Sequence, residues 1–319
     1  MANVRLHTSE LANLFQEDGI NFITRSSFES RWTPCLNSVK NCNIKTLTIL
    51  RSENQSNEAK NTYKLLDEKT LKLASLVSLP KSKPEETYRT IRATLENNLC
   101  FDNSELNAID ISSFKREELF IIILILKDLF EKHPSMKCRF LYNEVDSMNE
   151  DWLSRNTSKI RTILGYSGDP KQSKRTCVIS MIGHEINRAK DIIDAYDPSK
   201  LMIGRGMNTE SINTNLCKRN EVFYKELSSY YGDECSKFEF SLLDPIKVKN
   251  LLIELCSDED YNYVISPLNN KISCIGASLF ALENQDIQVC YSQMLEYNRP
   301  SYSKPSEYAH IIDMEEYFK

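Results

Sequence analysis

Hydrophobic positions along the chain fall into short β-rich runs separated by longer stretches of helical period, and the same order is written twice. In the first half, strands are predicted at Phe22–Thr24, Thr46–Leu50, Leu73–Leu79, Leu106–Ile111 and Lys137–Tyr142. Helices are predicted between them at Ser27–Val39, Glu58–Glu68, Pro84–Asn98 and Lys115–Lys132. The second half starts over with strands at Cys177–Ile182, Lys200–Ile203, Lys237–Phe240, Tyr263–Ser266 and Ile287–Tyr291. Its helices are predicted at Glu185–Tyr196, Ser211–Tyr231, Pro245–Cys256 and Ile272–Glu283. Strands that alternate with helices of this length imply crossover units and a parallel sheet.

The helix after the fourth strand is the most apolar of each half, LFIIILIL in one and ISCIGASLFAL in the other. A helix apolar on every side is buried on every side. The first strand repeats as well. NFITRSSFESRW and CVISMIGHEINRA both run from an apolar strand into a predicted helix that opens with Glu and then Arg. The fold class expected is therefore α/β: two tandem Rossmann-like domains with mainly parallel sheets, related by pseudo-twofold duplication. The boundaries expected are 1–145 for the first domain, 146–175 for a polar linker, and 176–319 for the second domain with a polar, aromatic tail.

Composition narrows the function classes. The 319 residues suit two domains, and 41% hydrophobic content supports packed cores. A net charge of −5 argues against a broad nucleic-acid surface but leaves room for a local basic pocket. Ten cysteines are scattered with no C-x-x-C pair, so no zinc or redox site is expected and a reduced, cytoplasmic protein is. The first residues show no signal peptide, and the longest apolar run, Leu119–Leu126, is too short to span a bilayer. No phosphate-loop, dinucleotide, zincin or nucleophile-elbow motif occurs.

In an open parallel sheet, ligands bind beyond the carboxyl ends of the strands. The loops there are Arg25-Ser26-Ser27, Arg51-Ser52-Glu53 and Asp110 to Arg116 in the first half, and Gly183-His184-Glu185, Gly204-Arg205-Gly206 and Ser266 to Lys271 in the second. Lys115, Arg116 and Lys271 open helices, where a cation beside free N–H groups suits an anion. The same cations also fit a solvated helix start, and the glycines also fit plain turns. The candidate ligand-binding residues are Ser112, Ser113, Lys115, Arg116, Gly183, His184, Glu185, Arg205, Asn269, Asn270 and Lys271. No catalytic residue, metal ligand or cofactor is assigned.

A strand, a Ser- or Asn-rich loop with a Lys, an apolar helix and a strand ending near Tyr resembles the nucleotide-binding half of CARF domains. In that family the loop reads Gly-Thr-Lys before an apolar helix. Leu268-Asn269-Asn270-Lys271 followed by Ile272-Ser273-Cys274-Ile275-Gly276-Ala277 has this form, and Asp110 to Lys115 is its counterpart. Two such domains in one chain look like SAVED domains. The resemblance implies a sensor of a nucleotide or cyclic oligonucleotide in an antiphage defence system. It further implies a ligand cleft between the domains, a separate effector protein, homo-oligomer formation and no membrane. Two other readings stay open. One is a Rossmann-like nuclease or nucleotide hydrolase using Glu29, Arg31, Asp110, His184, Glu185 and Arg188. The other is a non-catalytic structural subunit.

Overall fold

The computed structural model describes residues 3–15, 19–81, 83–211, 213–232 and 235–318. The strands are β1 (Asn3–His7), β2 (Gly19–Arg25), β3 (Ile44–Ser52), β4 (Ala74–Leu79), β5 (Glu105–Asp110), β6 (Cys138–Met148) and β7 (Ser154–Thr162). They continue as β8 (Arg175–Met181), β9 (Lys200–Gly206), β10 (Ser236–Phe240), β11 (Tyr261–Pro267), β12 (Gln288–Tyr297) and β13 (Ser303–Asp313). The helices are α1 (Pro34–Val39), α2 (Asn57–Thr62), α3 (Glu68–Leu73), α4 (Pro84–Asn98) and α5 (Arg116–Lys132). They continue as α6 (Ile186–Tyr196), α7 (Thr214–Tyr231), α8 (Pro245–Leu255) and α9 (Lys271–Glu283).

The chain divides into two compact units, residues 1–148 with 299–319, and residues 149–298. The sheet of the first runs β1-β13-β6-β5-β2-β3-β4 and that of the second β10-β9-β8-β11-β12-β7. Within the first, β6, β5, β2, β3 and β4 are mutually parallel. Within the second, β10, β9, β8, β11 and β12 are parallel. Taken in chain order, the five parallel strands of each unit lie 3-2-1-4-5, the Rossmann order without its sixth strand. Both units are thus α/β and Rossmann-like, as the alternation predicts.

In each sheet an antiparallel strand lies beside the fifth parallel strand: β7 beside β12, where it forms the edge, and β13 beside β6, with β1 beyond it as the edge. The strand that follows β6 in sequence joins the second unit's sheet, and the strand that follows β12 joins the first unit's sheet. This corrects the expected boundaries. The stretch 146–175 contains β7 rather than being a linker, and the aromatic tail contains β13, which lies in the first unit's sheet. β7 has only exposed and half-buried positions, as an edge strand does, whereas β13 is exposed or half-buried at its start and buried over Ala309–Ile312; neither gives the continuous apolar run of the parallel core strands.

Local differences have local causes. The helix predicted over Ser27–Val39 is a 3-10 turn at Ser30–Trp32 followed by α1, because Pro34 sits where a helix can begin but not continue from upstream. The helix predicted over Glu58–Glu68 is split into α2 and α3, each started by its own cap, Ser56 and Asp67. The helix predicted over Ser211–Tyr231 starts at Thr214 behind the Asn213 cap; Ile212 lies outside the described residues.

The two apolar helices behave as expected. Leu119 to Ile123 of α5 are all 0% exposed, and in α9 the run Ile272 to Ala281 is buried throughout. Among the described residues no helix is long and apolar enough to cross a membrane.

β13, paired on both sides, also contributes to the core. Ile312 pairs in register with Phe140 of β6, and both are fully buried. Ile312→Ala is expected to cost about 2–5 kcal/mol in urea unfolding, as for any buried aliphatic side chain. An effect near zero would mean that β13 is a loosely attached tail.

Candidate ligand site

In a 3-2-1-4-5 sheet the strand order reverses between strands one and four, and the crevice opens beyond their carboxyl ends. That position lies between β2 and β5 in the first unit, where Thr24 is in register with Asp110. In the second unit it lies between β8 and β11, where Ser180 is in register with Ser266. Most candidate residues follow these four strands.

The end of the first strand carries the same construction in both units. In the first, Arg31 donates from Nε and Nη2 to Glu29 Oε2 at 3.0 and 2.8 Å, and from Nη1 to the Asn143 carbonyl of β6 at 3.4 Å. Ser303 of β13 donates to the same Glu29 oxygen at 2.7 Å. In the second, Arg188 donates to Glu185 Oε2 at 3.1 Å and to the Ser292 carbonyl of β12, while Ser154 of β7 donates to Glu185 Oε1. Both pairs are buried. Burial alone would lower the Arg31 pKa, but the adjacent Glu29 charge outweighs it and holds the guanidinium above its ordinary value. Glu29, Arg31, Glu185 and Arg188 are thus consumed by each other and by backbone, which removes four of the six residues offered for acid–base chemistry.

The crevice of the first unit supplies its own anion. Glu118, in the first turn of α5, accepts the Lys115 backbone N–H at 2.8 Å. Arg25, at the end of β2, reaches the same carboxylate with Nε at 2.7 Å, and both side chains are buried. Arg25 also donates to Ser52 Oγ at 2.9 Å. A carboxylate therefore already sits on the positive end of α5. Lys115 is exposed and Arg116 half-buried at this helix start. Partial burial lowers the Lys115 pKa; Glu118 opposes the shift and Arg25 adds to it. Ser112 and Ser113 lie beneath the loop: Ser112 bonds Asp110, and Ser113 donates to the Arg25 carbonyl.

The second unit is built differently. The first turn of α9 holds no acidic residue, and Lys271 opens it. Asn270 caps it, accepting from Ser273 N at 2.9 Å while its amide donates to the Leu242 carbonyl at 2.7 Å. Asn269 donates to the Ile182 carbonyl at 2.6 Å. Asn220 of α7 donates to the carbonyls of Ile182 and Gly183 at 3.2 and 2.9 Å and accepts Gly206 N at 3.2 Å. Three amides thus tie together the loops that follow β8, β9, β10 and β11. A Cβ on Gly183 would meet the Leu268 carbonyl oxygen at 2.1 Å, so only glycine allows the β8 and β11 loops to approach this closely. Gly183, His184, Glu185, Asn269, Asn270 and Lys271 are brought together here.

Arg205 is not. The segment Gly204-Arg205-Gly206, expected as a loop, is the last part of β9, kept in the sheet by pairing with Phe238, Glu239 and Phe240 of β10. Arg205 is paired with Glu239 at 2.6 Å and lies 3.9 Å from Glu221. The two glycines make room for the Phe238 ring and the Leu242 side chain.

Sequence reasoning named neither Glu118 nor Asn220 as a site residue. Both carried a signal: Glu118 is the third residue of a helix that needs a cap, and Asn220 lies on the buried stripe with Leu216 and Leu227. Among the described residues no three His, Cys, Asp or Glu side chains gather as metal ligands would.

Removing one partner of a buried ion pair strands the other charge. Arg31→Met and Arg188→Met are each expected to cost about 3–5 kcal/mol in denaturant unfolding. Losses below about 1 kcal/mol would show that the pairs are exposed in solution.

No protein-family model matches this chain, and no curated protein matches it. Among solved structures it is similar to the protein described as "Putative Universal Stress Protein" from Pseudomonas aeruginosa UCBPP-PA14, with 12% identity over 86% of this chain and 92% of that chain, at a TM-score of 0.24.

Proposed function

We propose that the protein is a non-catalytic sensor that binds a nucleotide or cyclic oligonucleotide at the crevice of its second unit and signals to a separate effector. One observation carries the ligand class: Lys271 opens an acid-free helix at the point where the strand order reverses. That position offers N–H groups, the positive end of a helix and an ammonium to a phosphate. The three asparagine amides hold the surrounding loops in place, so little ordering is left for the ligand to impose. The resemblance of Leu268-Asn269-Asn270-Lys271 to the CARF loop supports the wider reading, a sensor in an antiphage defence system. A ligand signals by binding two states of the protein unequally.

The first unit takes a different part. Its equivalent helix already carries the Glu118 carboxylate on its positive end, which disfavours a second anion. The hydrolase reading loses support because Glu29, Arg31, Glu185 and Arg188 are tied in buried pairs.

The test is calorimetric titration with a panel of cyclic oligonucleotides and mononucleotides. Lys271→Glu is expected to weaken binding about 10- to 100-fold, the value of a charge-assisted hydrogen bond, with melting temperature nearly unchanged. Lys115→Glu is expected to leave the affinity within about twofold, since that helix start is already compensated by Glu118. Equal losses from both variants would place the ligand elsewhere, and turnover of a nucleotide by the wild type would replace the sensor reading with an enzyme.

A further inference from the structure

Asp110 stands at the end of β5, fully buried, directly beside Thr24 of β2. One carboxyl oxygen is well served: Oδ1 accepts Ser112 N at 3.0 Å and Ser112 Oγ at 2.5 Å. The other, Oδ2, has no hydrogen-bond partner, and neither has the neighbouring Thr24 Oγ1. Ser112 relays the contact onward, because its hydroxyl accepts Asn143 N of β6 at 2.7 Å. Asp110 thus joins the turn after β5 to β6 through Ser112, beside the Ile111 N–H bond to the Leu141 carbonyl at 2.8 Å and the Ser113 bond to the Arg25 carbonyl.

The groups around Asp110 leave it without a charge partner of its own. From β2 it faces Thr24, from its own loop Ser112, and from α1 Cys35, whose thiol is pushed up by burial and then by Asp110. Arg31 is the cation that acts on it, and Arg31 is committed to Glu29 and the Asn143 carbonyl. A buried carboxylate with an unsatisfied oxygen costs far more than the neutral acid in the same place. Ionisation therefore calls for a donor at Oδ2, which water supplies once the turn moves away.

We propose that Asp110 is a proton-operated latch: protonated, it holds the turn Ile111–Phe114 of the first unit closed through Ser112; ionised, it releases it. Burial raises the Asp110 pKa to about 7, against the pull of the Ser112 bonds and Arg31. In the open turn the group returns to about 3.9. The closed form holds the proton more tightly, so closure is at full strength below about pH 4. It weakens as pH rises and levels off above the closed-state value, and between these limits opening increases about tenfold per pH unit. The latch does not depend on which ligand the second unit takes.

The experiment is amide hydrogen exchange from pH 5 to pH 8, with protection factors corrected for intrinsic rates. Protection of the Ser112 and Asn143 amides is expected to fall about tenfold per unit up to near pH 7 and then stay level. In Asp110→Asn it is expected to be flat across the range. In Ser112→Ala it is expected to be lower at every pH with the slope retained, since Asp110 is still buried there. Flat protection in the wild type, or the same slope in Asp110→Asn, overturns the proposal. Should Asp110→Asn fail to fold, the Asp110 carboxyl 13C titration of the wild type decides. A midpoint near 7 supports the latch and one below about 5 overturns it.

Discussion

A buried carboxylate–guanidinium pair closes the end of the first strand in each unit, and the rest of the construction depends on it. Glu29 with Arg31, and Glu185 with Arg188, each connect three elements at once. The carboxylate receives a serine hydroxyl from the antiparallel strand, and the guanidinium reaches a carbonyl of the fifth parallel strand. An ion pair buried this well contributes little net stability compared with apolar side chains of the same size, but breaking it is severe. Its value is then geometric. It sets where β13 meets β6 and where β7 meets β12, and it places the loops that begin each crevice.

The same pairs explain why two units of one design differ in chemistry. With Glu and Arg spent on the scaffold, the character of each crevice is left to the helix after the fourth strand. In the first unit α5 carries Glu117 and Glu118 in its first turn, and Glu118 closes on Arg25. In the second unit α9 has no acid there and is held by Asn270. A helix N-terminus with a carboxylate on it is internally neutralised, whereas one without is open to an external anion. The same position thus carries a carboxylate on its helix start in one unit and an amide cap in the other.

Asp110 shows how polar groups at such a position can carry a second property. It lies where a strand ends and a turn begins, fully buried, and the turn residue Ser112 links it to β6. Local openings of this kind cost far less than global unfolding, which lets one proton bias them.

The alternation of short β-rich runs with helical stretches by itself determined the five parallel strands of each unit, most plainly the central ones, where a strand buried on both faces and a helix apolar all round leave continuous hydrophobic segments. Leu106–Ile111, Lys115–Lys132 and Tyr263–Ser266 were legible in this way, and so was the position of Lys271 at a helix start. The Glu and Arg after the first strand were visible as a repeat, but not as ion pairs. Only the tertiary structure decided that Ser154–Thr162 and Ser303–Asp313 are strands and which sheet each one joins. It also decided that Arg205 faces Glu239 and that Glu118 fills its own helix end. The reason is common to all of these. Hydrogen bonds along a sheet edge are made by backbone atoms that every residue carries, and an ion pair forms between residues far apart in the chain, so neither leaves a periodic trace in the sequence.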